Sequence, residues 1–80
     1  VIARVQIRYR PGVLDPEARA IGRALGNLGY RDVRSVSRSR IIELELAAGD
    51  RASAEREVRE MCERLLANPV IETYDISLVD

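Results

Sequence analysis

Apolar and polar positions alternate from the start of the chain. Ala3, Val5, Ile7 and Tyr9 fall on one side of an extended backbone, and Arg4, Gln6, Arg8 and Arg10 on the other. This is the pattern of a strand with one buried face. Pro11-Gly12 ends it. The period then lengthens. Ile21, Ala24, Leu25 and Leu28 recur at helical spacing. Asp15 is a good N-cap, and Pro16 stands where a missing N–H does no harm. Gly29 is placed to close the helix in a left-handed conformation. Ala18, Gly22 and Gly26 lie beside the apolar stripe at steps of four. Each helical glycine costs about 1 kcal/mol relative to alanine. Either close approach to a sheet or a neighbouring subunit offsets that cost, or the helix tolerates it.

Residues 33–46 read differently in their two halves. Ile42, Leu44 and Leu46 alternate with Glu43 and Glu45, while Val33 and Val36 stand among arginines and serines. A hairpin would turn near Ser37-Arg38-Ser39-Arg40, yet that stretch lacks the Gly, Asn or Asp of tight two-residue turns. One long, bent strand is the better reading. Fourteen residues at about 3.3 Å each span roughly 45 Å. A domain this small cannot pair such a strand along its full length, so part of it is expected to pair with a second copy.

Asp50 caps a second helix whose apolar stripe is Val58, Met61, Cys62, Leu65 and Leu66. Glu55–Arg59, Arg56–Glu60, Arg59–Glu63 and Glu60–Arg64 stand four apart on its outer side. Such pairs contribute about 0.2–0.5 kcal/mol each and mark a solvated face. Asn68-Pro69 stops the helix, since proline drives the residue before it out of the helical region. Tyr74, Ile76 and Leu78 then alternate with Asp75 and Ser77 as a last strand. The order predicts one α+β domain over 1–80, a two-layer β-α-β-α-β fold related to the ferredoxin-like order. Its antiparallel sheet carries two helices on one face and extends across a dimer.

Size reinforces the expectation of association. A chain of 80 residues buries only about 60% of its unfolded surface. No disulfide can help, because Cys62 is the only cysteine, and the absence of histidine argues against a metal site. The aromatics are three tyrosines, so the core must be aliphatic. A lone cysteine and no signal-peptide pattern predict a reducing, cytoplasmic setting. No apolar run is long enough to span a membrane.

Candidate chemistry is sparse. Thirteen arginines balance 13 acidic residues, which argues against nucleic-acid binding driven by overall charge. Without histidine, Ser-His and Cys-His nucleophile pairs are impossible. Cys62 lies on the buried stripe and reads as core. Gly22-xxx-Gly26 lacks the lysine and hydroxyl of a nucleotide loop. No catalytic, cofactor-binding or metal-binding residue is expected. Arginines are the exception worth following. Arg4, Arg8 and Arg10 share one face of the first strand, and Arg34, Arg38 and Arg40 share one parity of the long segment. If these strands are neighbours, a basic strip can form. Arg8, Arg10, Arg38 and Arg40 are the candidate partner contacts, for their exposure and their place at strand ends.

Three segments carry a family resemblance: Pro11-Gly12-Val13-Leu14-Asp15-Pro16, then Leu25 through Leu28-Gly29-Tyr30 to Val33, then Met61-Cys62-Glu63 with Leu65-Leu66-Ala67-Asn68-Pro69-Val70-Ile71-Glu72. In this order and spacing the chain resembles the PurS family, the small subunit of phosphoribosylformylglycinamidine synthase. The resemblance implies a non-catalytic subunit of an ATP- and glutamine-dependent ligase in de novo purine biosynthesis. It would join a synthetase and a glutaminase subunit and support ammonia transfer between them. ATP and magnesium would be used by the complex, with none bound by this chain. The implied partners are a second copy, in a homodimer or tetramer, and the two larger subunits, with no nucleic acid or membrane. Where the family favours Arg-x-Gly-Lys, this chain has Ser37-Arg38-Ser39-Arg40, and a one-residue shift in a strand changes the face a side chain occupies. Two rivals remain at this stage. One is a regulatory domain binding small molecules at a dimer interface. The other is an RNA-binding plait, which would want more aromatic stacking surface.

Overall fold

In the computed structural model, residues 1–47 and 49–79 are described. The expected domain over 1–80 also includes Ala48 and Asp80, which lie outside the described residues. The elements run β1 (Ile2–Tyr9), α1 (Pro16–Asn27), β2 (Ser39–Glu45), α2 (Arg51–Met61) and β3 (Glu72–Val79), with a π-helical turn, Cys62–Leu66, closing α2. The strands form an antiparallel sheet in the order β2-β1-β3. Both helices lie on one face, as the α+β reading expects.

Register follows from the alternation. Val5 stands between Ile42 and Ile76, and Ile7 between Arg40 and Tyr74. Ala3, Val5 and Ile7 are fully or almost fully buried under Val58 and Cys62 of the second helix, with Ala67 beside them. Ile42, Leu44, Leu46, Leu66, Tyr74, Ile76 and Leu78 ring this cluster. Burying an aliphatic side chain of this size is worth about 1.5–3 kcal/mol, so this small cluster is the core.

Caps form as the sequence predicts. Asp15 accepts the N–H groups of Glu17 and Ala18, at 3.1 and 3.2 Å. At the other end of α1, Gly29 adopts φ +97°. Its N–H donates to the Gly26 carbonyl, and the Tyr30 N–H donates to the Leu25 carbonyl. This is the Schellman arrangement, which needs a left-handed residue where only glycine is unstrained. Asp50 caps α2 through the Ser53 N–H at 3.3 Å.

Three features depart from the sequence reading. First, Leu65 is 83% exposed. The Ala67 N–H reaches back five residues to the Cys62 carbonyl at 3.0 Å. That π turn takes in one extra residue. It brings Leu66 toward the core and swings Leu65 out. Second, the paired strand is Ser39–Glu45, shorter than 33–46. β1 ends at Tyr9 and Arg8 is the last residue opposite β2, so nothing in the chain remains to pair with 33–38. Residues 30–38 continue without a turn or bend, so no hairpin forms. Third, the apolar stripe of α1 is not covered. Ala18, beside the stripe, is the one buried residue of α1; within the stripe Ile21 is 42% and Leu28 73% exposed.

α1 lies over the unpaired arm. A Cβ on Gly22 would meet Val36 at an ordinary 3.7 Å, while one on Gly26 would meet open space. Within the chain, neither glycine is needed for close approach. The molecule is correspondingly long, 51 × 26 × 15 Å. Its radius of gyration is 16.2 Å, against roughly 12 Å for a compact chain of this length. Its surface is 6206 Å², against roughly 4,900 Å² for a compact monomer of this mass.

Candidate partner-binding surface

Where β1 ends, the chain turns through Pro11-Gly12, with φ +87° at Gly12, and enters α1. The unpaired arm runs past this corner. Between them lies an open cleft of about 720 Å³, with walls from the end of β1, the start of α1 and residues 33–39. Five arginines line it, Arg8, Arg10, Arg19, Arg34 and Arg38, against one carboxylate, Asp15.

Arg38 is the strap that fixes the arm to the helix. Its Nε and Nη2 donate to the two Asp15 carboxylate oxygens at 3.1 and 2.9 Å, and Nη1 stands 2.8 Å from Glu17. Forked pairing of this kind is the strong form of a charge-assisted bond. The Arg38 guanidinium holds the Asp15 carboxyl below its ordinary value; partial burial opposes this, and the Ala18 N–H adds to it. The same contact raises Arg38.

Arg40 serves the core. It lies on the inner face opposite Ile7. Its Nη1 and Nη2 donate to the two oxygens of Glu72 at 3.0 and 3.3 Å, and Nη2 also donates to the Leu66 carbonyl at 2.8 Å. Glu72 is the buried charged residue, and it accepts the Asn68 N–H at 2.8 Å. A buried carboxylate needs this degree of satisfaction. Arg10 donates twice to the Pro69 carbonyl, at 3.1 and 2.7 Å, and its own N–H donates to the Ile71 carbonyl. Arg8 reaches Asp75 across the outer face at 3.4 Å.

Of the four arginines named from sequence, Arg8, Arg10 and Arg38 therefore line the cleft, and Arg40 faces a smaller recess beside Glu72. The basic strip suggested by parity does not form as one surface. Arg4 and Arg8 sit on the outer face, paired with Glu43 and Asp75, while Arg40 points inward. Arg19 is not among the residues named from sequence, and Arg34 is named only as part of the basic strip. Arg19 comes from a helix and Arg34 from the unpaired arm, and only the tertiary corner brings them together.

Cys62 is fully buried, as expected of a core residue. Burial pushes its thiol up, with Arg59 pulling the other way. Among the described residues, no group of three or more His, Cys, Asp or Glu is placed to hold a metal ion. Among the described residues, too, no helix is long and apolar enough to cross a membrane.

A family model, PurS: Phosphoribosylformylglycinamidine (FGAM) synthase, matches residues 2–80. The chain belongs to the PurS family. The Archaeoglobus fulgidus FGAM synthase subunit PurS is 47% identical over 76 residues, covering 95% of both chains. The crystal structure of Methanocaldococcus jannaschii PurS superposes with a TM-score of 0.83 at 42% identity, covering 95% of this chain and 92% of that one. That protein is described as one of the subunits of formylglycinamide ribonucleotide amidotransferase in the purine biosynthetic pathway. A chain in the structure of PurLQS from Thermotoga maritima superposes with a TM-score of 0.79 at 32% identity, covering 96% of each.

Proposed function

We propose that this chain is the small, non-catalytic subunit of the ATP- and glutamine-dependent FGAM synthase of de novo purine biosynthesis. It works in the cytoplasm, as a homodimer or a tetramer, joining a synthetase and a glutaminase subunit and supporting ammonia transfer between them. ATP and magnesium belong to the larger subunits. The observation that carries this reading is the family match along residues 2–80. The half-finished architecture supports it: an unpaired arm and an uncovered apolar helix face are what an assembly component displays.

Chemistry gives the role its reason. Ammonia released into water is protonated or diffuses away, so the site that frees it and the site that consumes it must be held together. A subunit with no nucleophile–base pair contributes by position. Dimerisation through the arm and α1 would cover part of the excess surface. Stable interfaces bury about 800 Å² per partner, which the surplus over a compact monomer accommodates. Arg8, Arg10, Arg38 and Arg40 are the proposed contacts to larger subunits, with Arg38 and Arg40 holding their own fold at the same time.

Reconstitution tests this. The chain is added to matching synthetase and glutaminase subunits with glutamine and ATP. Glutamine-dependent product should require it, and equal product without it would refute the role.

A further inference from the structure

The arm is an unfinished strand. Among the described residues, 31–37 make no backbone hydrogen bond, and backbone groups left so must find water or a neighbour. β1 stops short beside them. Arg8 stands opposite Ser39, so the same count sets Arg10 beside Ser37, and the chain then leaves through Pro11-Gly12. The place next to the arm is therefore open from Val36 outward. The facing of the arm is fixed as well. The Val36 side chain lies over Gly22 of α1, and Arg38 reaches Asp15. Side chains of an extended backbone alternate, so Tyr30, Asp32 and Arg34 share that helix-facing side. Asp32 and Arg34 are exposed and have no ion-pair partner among the described residues.

We infer that the arm pairs antiparallel with the arm of a second copy in one register: Val33 opposite the partner's Val33, Asp32 opposite the partner's Arg34, and Tyr30 opposite the partner's Val36. Space sets the register first. The second copy's strand starts at its own Tyr30, directly after the Gly29 cap, and the open place starts at Val36. Charge then excludes the neighbouring registers. A slip of one residue would set the partner's α1 on the opposite face of the ribbon. A slip of two sets Asp32 against the partner's Asp32, or Arg34 against the partner's Arg34, and like charges directly opposite are destabilising. The inferred register sets unlike charges opposite, and two-fold symmetry supplies that pair twice. The same two-fold lays both α1 helices over one two-stranded floor, where Ile21 and Leu28, exposed in the single chain, become covered. The inference rests on the homodimer proposed above and names the pairing that builds it.

Cysteine cross-linking and light scattering separate the register from the dimer. Val33→Cys should form a disulfide between copies under mild oxidation. Residues directly opposite in antiparallel strands have Cα atoms about 4.5–5.5 Å apart, within the range of about 4.4–6.8 Å that the bond requires. Ser35→Cys should not form one, since its two cysteines would stand roughly 13 Å apart along the ribbon. Cys62 is fully buried and leaves no background. Asp32→Arg and Arg34→Asp should each weaken dimerisation by about tenfold or more. The double swap Asp32→Arg/Arg34→Asp should restore it to within about threefold of wild type, and Arg64→Glu on α2 should match wild type. A dimer that does not cross-link through Val33→Cys, that cross-links through Ser35→Cys, that is indifferent to either single reversal, or that the double swap fails to rescue overturns the register and leaves the homodimer standing. A wild type that stays monomeric at micromolar concentration overturns both.

Discussion

The two helices of this chain face opposite fates. α2 lays Val58 and Cys62 onto a three-stranded sheet, and both are fully buried. α1 lies over a strand extension that has no neighbour, and Ile21 and Leu28 stay in water. Both helices are capped by an aspartate and both carry an apolar stripe. The difference is what lies beneath them. β1 gives α2 a paired floor but ends at Tyr9, before it can floor α1. Amphipathicity reports that a helix face will be covered; it does not report by which molecule.

That contrast can be broken or sharpened by substitution. Ile7→Ala strikes the centre of the finished half and should cost about 2–5 kcal/mol, read as a lower urea midpoint at fixed protomer concentration. Glu72→Ala should cost less, about 1–3 kcal/mol, because Arg40 is half-exposed and can rehydrate while the Asn68 N–H loses its acceptor. Both should lower amide protection throughout the sheet. Gly29→Ala strikes the unfinished half. It places a side chain at φ +97°, at a cost of about 1–2 kcal/mol. Its loss of protection should be confined to α1 and the arm. A uniform loss across the sheet would show that the two halves unfold as one unit.

Acid should produce the smallest effect and in the same half. Asp15 has its carboxyl lowered by Arg38. Its contribution to stability is therefore complete above the unfolded carboxyl value of about 3.9 and is lost as pH falls through the lower folded value. Thermal melts below about pH 4 should show this loss, and Asp15→Asn should already lack it at neutral pH. Cys62 acts in the other direction. Its raised thiol means stability falls as pH climbs past the unfolded thiol value of about 8.5.

Much of the finished half was legible in the sequence. Period-two runs in Ala3–Tyr9, Ile42–Leu46 and Tyr74–Leu78 place the inner row, and Asp15-Pro16, Gly29 and Asn68-Pro69 place the helix ends. The π turn was not legible, because Leu65 and Leu66 fit an ordinary helical stripe equally well. Only the five-residue hydrogen bond from Ala67 decides which of them faces in. The length over which β2 pairs within the chain, Ser39–Glu45, was not legible either. Alternation shows which side chains share a face, but a strand is assigned only where a neighbour exists. The cleft was half legible. Arg8, Arg10 and Arg38 follow from exposure near strand ends, while Arg19 and Arg34 depend on how the corner folds. Arg40 has a structural duty through Glu72, a partner 32 positions away that no local pattern links to it.

The central claim is that the unfinished half is completed by another copy of this chain. Light scattering on the purified protein at micromolar concentration tests it most directly. The account predicts a mass of at least twice 9.0 kDa, together with slow amide exchange in residues 33–38. A single 9.0 kDa species whose arm exchanges as fast as a free peptide would contradict it.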